Sequence, residues 1–158
     1  MTARDQNVPG DFAKAGSQRW LQVAVDKRPE LILNALRKSG AIERGTTISW
    51  HSPLKNDAFK EYRDQEAFNL AGLRRLPGRE LKSFWPARGP VWDAIGTISD
   101  GSPIFVEAKA HIAEAASPAC RATPESMRLI LQSLIESRRW YAPKATCDWH
   151  GLFYQYAN

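Results

Sequence analysis

The residues best suited to chemistry stand in one short stretch. Asp93 lies in Gly89-Pro90-Val91-Trp92-Asp93-Ala94-Ile95-Gly96, and Glu107 and Lys109 follow in Ile104-Phe105-Val106-Glu107-Ala108-Lys109. Two carboxylates and an ammonium suit work on a phosphate ester. A hard divalent cation takes oxygen ligands and is typically held by one or two carboxylates, with waters and the substrate phosphate completing the shell. Asp93 and Glu107 are the candidate ligands, joined by the backbone carbonyl of Ala108, and Mg²⁺ or Mn²⁺ is the expected cofactor. Such a cation polarises a phosphoryl oxygen and lowers the pKa of a bound water. Lys109 would orient that water or neutralise charge developing on the phosphorus centre.

Whether the three side chains meet depends on strand register. Residues 91–98 and 104–108 read as two strands, and Ser99-Asp100-Gly101-Ser102 between them is a strong hairpin signal. A three-residue loop with Gly101 left-handed pairs Ile98 with Ser102, and counting back sets Asp93 opposite Glu107. Lys109, two residues further on, shares the face of Glu107. A two-residue Asp100-Gly101 turn would instead oppose Asp93 to Ala108 and separate the carboxylates, so the chemistry requires an odd loop or a bulge. The bland alternative is a cross-strand ion pair on an exposed hairpin. Against it, Ile104-Phe105-Val106 and Ala108 surround Glu107 with apolar residues, as in a central strand.

A strand Asp, a hairpin and Glu-x-Lys on the next strand resemble the PD-(D/E)xK motif of restriction endonucleases and related enzymes, the matching residues being Asp93, Glu107 and Lys109. The likeness covers residues 57–135 as a layout of helix, hairpin and helix. It departs from the motif in that Trp92 precedes Asp93, with the proline at Pro90. The resemblance implies an α/β (α+β) chain with a restriction endonuclease-like core, a small mixed β-sheet flanked by helices. It also implies Mg²⁺-dependent hydrolysis of phosphodiesters, with DNA as the expected substrate.

Other elements should position this hairpin. A helix over residues 57–73 is predicted from Phe59, Tyr62, Glu66, Leu70 and Leu73, which recur at spacings of three and four. Glu66 is the carboxylate of that stripe. Since members of the superfamily carry an additional acid on the helix before the hairpin, Glu66 becomes a possible further metal ligand, the alternative being an ion pair at the stripe's edge. A helix over 29–39 starts at Pro29, stops at Gly40 and would bury Leu31, Ile32, Ala35 and Leu36. Residues 46–50 read as a strand. Thr123 and Pro124 open a helix to about residue 141, with Met127, Ile130, Leu131, Leu134 and Ile135 as its stripe. His111 and Glu114 follow Lys109 and are weaker candidates for the same cleft; Gln155 is similar to a glutamine that some members of the superfamily place on a helix near the site, but it stands three residues from the end of the sequence and is given no role.

Residues 74–89 form a basic connector in which Arg79, Lys82 and Arg88 alternate with Phe84 and Trp85, a pattern suited to phosphates and stacked bases. The whole chain, with 22 Lys and Arg against 17 Asp and Glu, carries a formal charge of +5. Both features favour a nucleic-acid partner, and both are also met on ordinary solvated faces. Duplex cleavage by so small a chain would be easier as a twofold homodimer, since each centre cuts one strand.

The 158 residues suffice for one domain over 17–158, preceded by a mobile leader over 1–16 that lacks apolar periodicity. No apolar run reaches membrane-spanning length and no signal-peptide core is seen, so a soluble, cytoplasmic protein is expected. Cys120 and Cys147 are read as reduced thiols without the spacing of a zinc site. Two other classes compete with the nuclease: a nuclease-like fold that binds nucleic acid or a protein without cutting, and a small-molecule hydrolase using two carboxylates without metal.

Overall fold

The computed structural model of the chain describes residues 11–74, 78–111 and 119–151. Its order is α1 (Gly16–Lys27), α2 (Pro29–Lys38), β1 (Ile48–Ser52), β2 (Tyr62–Arg63), α3 (Asp64–Leu70), β3 (Val91–Trp92), β4 (Ala94–Ile98), β5 (Pro103–Val106) and α4 (Pro124–Tyr141). The chain is α+β, as expected. Its contacts group it into two compact units, one from the stretch ending at Leu73 with Val91–Ala110, the other from Arg74–Pro90 and the stretch starting at His111.

The first unit is built on a three-stranded sheet, β1-β4-β5, with β2 and β3 pairing beside it. Every pair among the described residues is antiparallel, so the mixed sheet implied by the resemblance lacks its parallel pair there. Strand β4 is central, and its alternation supplies both faces of the sheet. Ala94 packs with Leu21 and Val25 of α1, one helical turn apart, while Trp50, Val106 and Ala108 close the cluster. Ile95 faces the other way, onto Ala67 and Ala71 beside Phe105 and Trp92. Helices α1 and α3 thus cover opposite faces, which is why β4 is buried from Ala94 to Gly96. Gly96 lies opposite Trp50, and a Cβ there would come within 2.9 Å of the Ser49 carbonyl oxygen.

Three expectations from periodicity are corrected. In α2 no residue is buried and Leu31 is 52% exposed; α1 already occupies the sheet face, and of the predicted stripe only Ile32 packs against that core cluster. The helix predicted over 57–73 shrinks to Asp64–Leu70. Ala58 and Phe59 have φ of 51° and 55°, left-handed values that break a helix. Phe59 is instead buried against Phe12, with ring centroids 4.9 Å apart, and Tyr62 pairs with Trp92 across β2 and β3. The leader is likewise structured at its end: Ala13 is buried and its N–H donates to the Gln22 side chain at 2.7 Å. Its first ten residues lie outside the described ones.

In the second unit α4 begins where Thr123 and Pro124 place it, with Thr123 Oγ1 accepting the Ser126 N–H at 3.4 Å. Ile130, Ser133 and Leu134 are buried, and Ser133 donates to the Phe84 carbonyl. Ile135, expected in the stripe, is exposed. Among the described residues no helix is long and apolar enough to cross a membrane, and both cysteines are free.

Candidate metal centre

The hairpin has the expected register, which one step beyond its last pair, Ala94 with Val106, leads to Asp93 and Glu107. The Ile98 N–H donates to the Ser102 carbonyl at 2.9 Å, Gly101 has φ of 88°, and Ala94 pairs with Val106. The loop is therefore the three-residue form. The 91–98 strand is interrupted at Asp93: Val91 and Trp92 pair with β2, and β4 starts at Ala94. At this switch the Asp93 N–H still donates to the Val106 carbonyl at 3.0 Å. Strand β5 ends at Val106, so Glu107 and Lys109 follow its end rather than lying inside a strand to residue 108.

The Asp93 carboxylate turns back across the hairpin, and its Oδ2 accepts the Ala108 N–H at 2.6 Å. Lys109 is ion-paired with Glu107, and these side chains are only 23% and 29% exposed. Burial pushes the Asp93 carboxyl up; the Ala108 N–H opposes this, the Glu107 charge adds to it and Lys109 reduces it. Asp93, Glu107 and Lys109 thus share one electrostatic neighbourhood at one end of the sheet.

A further carboxylate, which the sequence reading passed over, belongs to this neighbourhood. Glu61 is partly buried just ahead of β2, and its Oε1 accepts a hydrogen bond from Gln18 Nε2 of α1 at 2.8 Å. Burial pushes its carboxyl up, Gln18 counters, and the charges of Asp93 and Glu107 push it further up. Local structure explains the placement. The left-handed Ala58 and Phe59 turn the chain, Ser52 donates to the Lys60 carbonyl at 2.8 Å, and Tyr62 is fixed opposite Trp92, which leaves Glu61 between two anchored neighbours.

Glu66 sits elsewhere. Its side chain is 71% exposed and lies 3.7 Å from the Lys60 ammonium, because α3 turns Ala67 rather than Glu66 toward the sheet. This is the edge ion pair weighed against the ligand role. His111 is exposed at the end of this stretch; Glu114 and Gln155 lie outside the described residues.

The basic connector divides. Arg79 grips Glu136 through both terminal guanidinium nitrogens and lies 4.4 Å from the Phe84 ring centroid, and Lys82 pairs with Glu80 at 2.8 Å. Both are occupied within their own unit. Trp85 and Arg88 line an open pocket of about 460 Å³ with Arg121, Thr123 and Ser126.

The acids at the sheet end fit a hard cation in kind: oxygen donors, partly enclosed, with mutually unfavourable charges. Among the described residues no three His, Cys, Asp or Glu side chains stand close enough to ligate one ion together. A Mg²⁺-like ion needs only one or two, with waters and substrate completing its shell. Comparisons with protein-family models, curated proteins and solved structures find no match to this chain.

Proposed function

We propose that the chain is a metal-dependent phosphodiesterase of the PD-(D/E)xK type, acting on DNA. The observation that supports this reading is the end of the hairpin, where Asp93 accepts the Ala108 N–H between an ion-paired Glu107 and Lys109, on a sheet covered on both faces. Asp93 and Glu107, with the Ala108 carbonyl, would hold Mg²⁺ or Mn²⁺. When bound, the cation supplies Lewis-acid polarisation of the phosphate and a more acidic water.

The chain's own residues do the rest. The Ala108 N–H fixes the Asp93 carboxylate and restricts its rotation. Lys109, now neutralising Glu107, would turn its ammonium to the scissile phosphate once the Glu107 charge is otherwise met, and there offset the negative charge that builds up during attack by water. The net charge of +5 favours a polyanionic substrate, and Trp85, Arg88 and Arg121 offer stacking and phosphate contacts around their pocket. A twofold dimer would let two such centres cut both strands of a duplex.

One observation favours a second reading, a nuclease-like fold that binds nucleic acid without cutting: the Lys109 ammonium is paired with Glu107, one of the two carboxylates the metal reading needs. Incubation of linear duplex and single-stranded DNA with the protein and Mg²⁺ or Mn²⁺ separates the two. Cutting supports the phosphodiesterase, and retained binding without cutting supports the scaffold.

A further inference from the structure

Glu61 and Glu66 are held in contrasting ways. Glu66 is exposed and faced by an ammonium, that of Lys60. Glu61 is partly buried, and its hydrogen-bond partner is a neutral amide, reached across forty-three positions of chain. An amide N–H fixes a carboxylate oxygen without cancelling its charge, whereas Lys or Arg in the same place would neutralise it. Tyr62 pairs with Trp92 and Arg63 with Val91, a register that one further step carries to Glu61 and Asp93; burial is the larger cost to the Glu61 charge, and the charges of Asp93 and Glu107 add to it. Partly enclosed acids of one sign are costly by themselves, and a nearby cation reverses that cost.

We propose that Gln18 is a positioning residue of the metal centre: it holds the Glu61 carboxylate beside Asp93 and Glu107, where the added negative charge strengthens the grip on a divalent cation. This rests on the metal-dependent reading above. In this role Glu61 acts through its field and through cation-bound water, with Asp93 and Glu107 as the direct ligands. Helix α1 thereby becomes part of the centre, joined to it by Gln18 and to the sheet by Leu21 and Val25.

The test is calorimetric titration of the full chain with Mn²⁺, paired with thermal melting of the metal-free protein. Glu61→Gln should weaken Mn²⁺ binding about tenfold, the order expected for one charge acting over several ångströms in a partly enclosed site, and should raise the metal-free melting temperature. Gln18→Ala, which keeps the carboxylate but frees it, should weaken binding less. The exchange Gln18→Glu with Glu61→Gln keeps one amide and one carboxylate in contact; it should melt no lower than the wild type yet bind Mn²⁺ more weakly. If that exchange, or Glu61→Gln, binds Mn²⁺ as tightly as wild type while Asp93→Ala does not, the pair is only a structural link and this inference is overturned. If the wild type binds no Mn²⁺, or Asp93→Ala binds it undiminished, the metal centre itself is overturned and the inference with it.

Discussion

The Asp93 carboxylate accepts the Ala108 N–H at 2.6 Å, closing across the hairpin a contact between residues fifteen positions apart. That bond holds one acid of the centre in place and ties it to the backbone between Glu107 and Lys109. It also sets the sign of an experiment. Burial raises the carboxyls of both Asp93 and Glu61 above their ordinary values of 3.8 and 4.5. The folded state therefore binds protons at these groups more readily than the unfolded chain, so their contribution to stability is present at pH below the ordinary values and is lost as pH rises through the raised ones. Metal-free protein melted in EDTA across this range should show that loss. Asp93→Asn, whose amide oxygen can still accept from Ala108, should flatten this part of the profile and melt no lower than wild type at pH 7. A clearly lower melting temperature for Asp93→Asn at neutral pH would show that the charge is stabilising and contradict the account.

Gly96 is expected to be irreplaceable for a packing reason. Its φ is not left-handed, but an added Cβ would meet the Ser49 carbonyl oxygen at 2.9 Å and the Trp50 ring at 3.1 Å. The first of these is backbone and cannot rotate away. Gly96→Ala should cost about 1–3 kcal/mol in urea unfolding, the usual range for overpacking a closed site. An unchanged midpoint would mean that β1 and β4 separate more easily than their register implies.

Ile95 is fully buried between Ala67, Ala71 and Phe105, on the sheet face covered by α3. Ile95→Ala should destabilise by about 2–5 kcal/mol, as large-to-small core changes do. Because the adjacent β4 pairing carries Asp93 into place, the same variant should lose cleavage when warmed before the wild type does. Urea titration checks the first effect and a temperature series of DNA cleavage the second.

How far the centre was legible in the sequence follows from how local its determinants are. The turn Ser99-Asp100-Gly101 fixes the hairpin register within a few residues, and Thr123-Pro124 fixes the start of α4 in the same way. Glu61 was hidden because its position depends on Phe12, Gln18 and Trp92, all remote in sequence. Phe59 and Tyr62 happen to be spaced like a helical stripe with Leu70 and Leu73, and that coincidence directed attention to Glu66. The local counter-signal was Asn56-Asp57 after Pro53, residues that favour turns and should have delayed the helix start. The break at Asp93 was also invisible to strand alternation, since it arises from β3 and β4 pairing with different partners.

The basic connector yields a contrast between neighbours. Arg79 is committed to Glu136 and Phe84, so Arg79→Ala should lower thermal stability while changing DNA affinity less than twofold. Arg121→Ala, on the wall of the pocket that also holds Trp85, should leave melting unchanged and reduce both DNA affinity and its salt dependence. Fluorescence anisotropy at two salt concentrations reads both. Equal losses of affinity in the two variants would remove the pocket from the DNA-binding account.

The central claim is tested most directly by cleavage of linear duplex and single-stranded DNA in Mg²⁺ or Mn²⁺, comparing wild type with Asp93→Ala and Lys109→Ala proteins of matched purity and melting behaviour. Metal-dependent cutting by the wild type is expected, with a loss of about a hundredfold or more in each variant and DNA binding retained, the scale met when one group that stabilises transition-state charge is removed. Cutting that survives in both variants, or a wild type that binds DNA and leaves it intact with either metal, would contradict it.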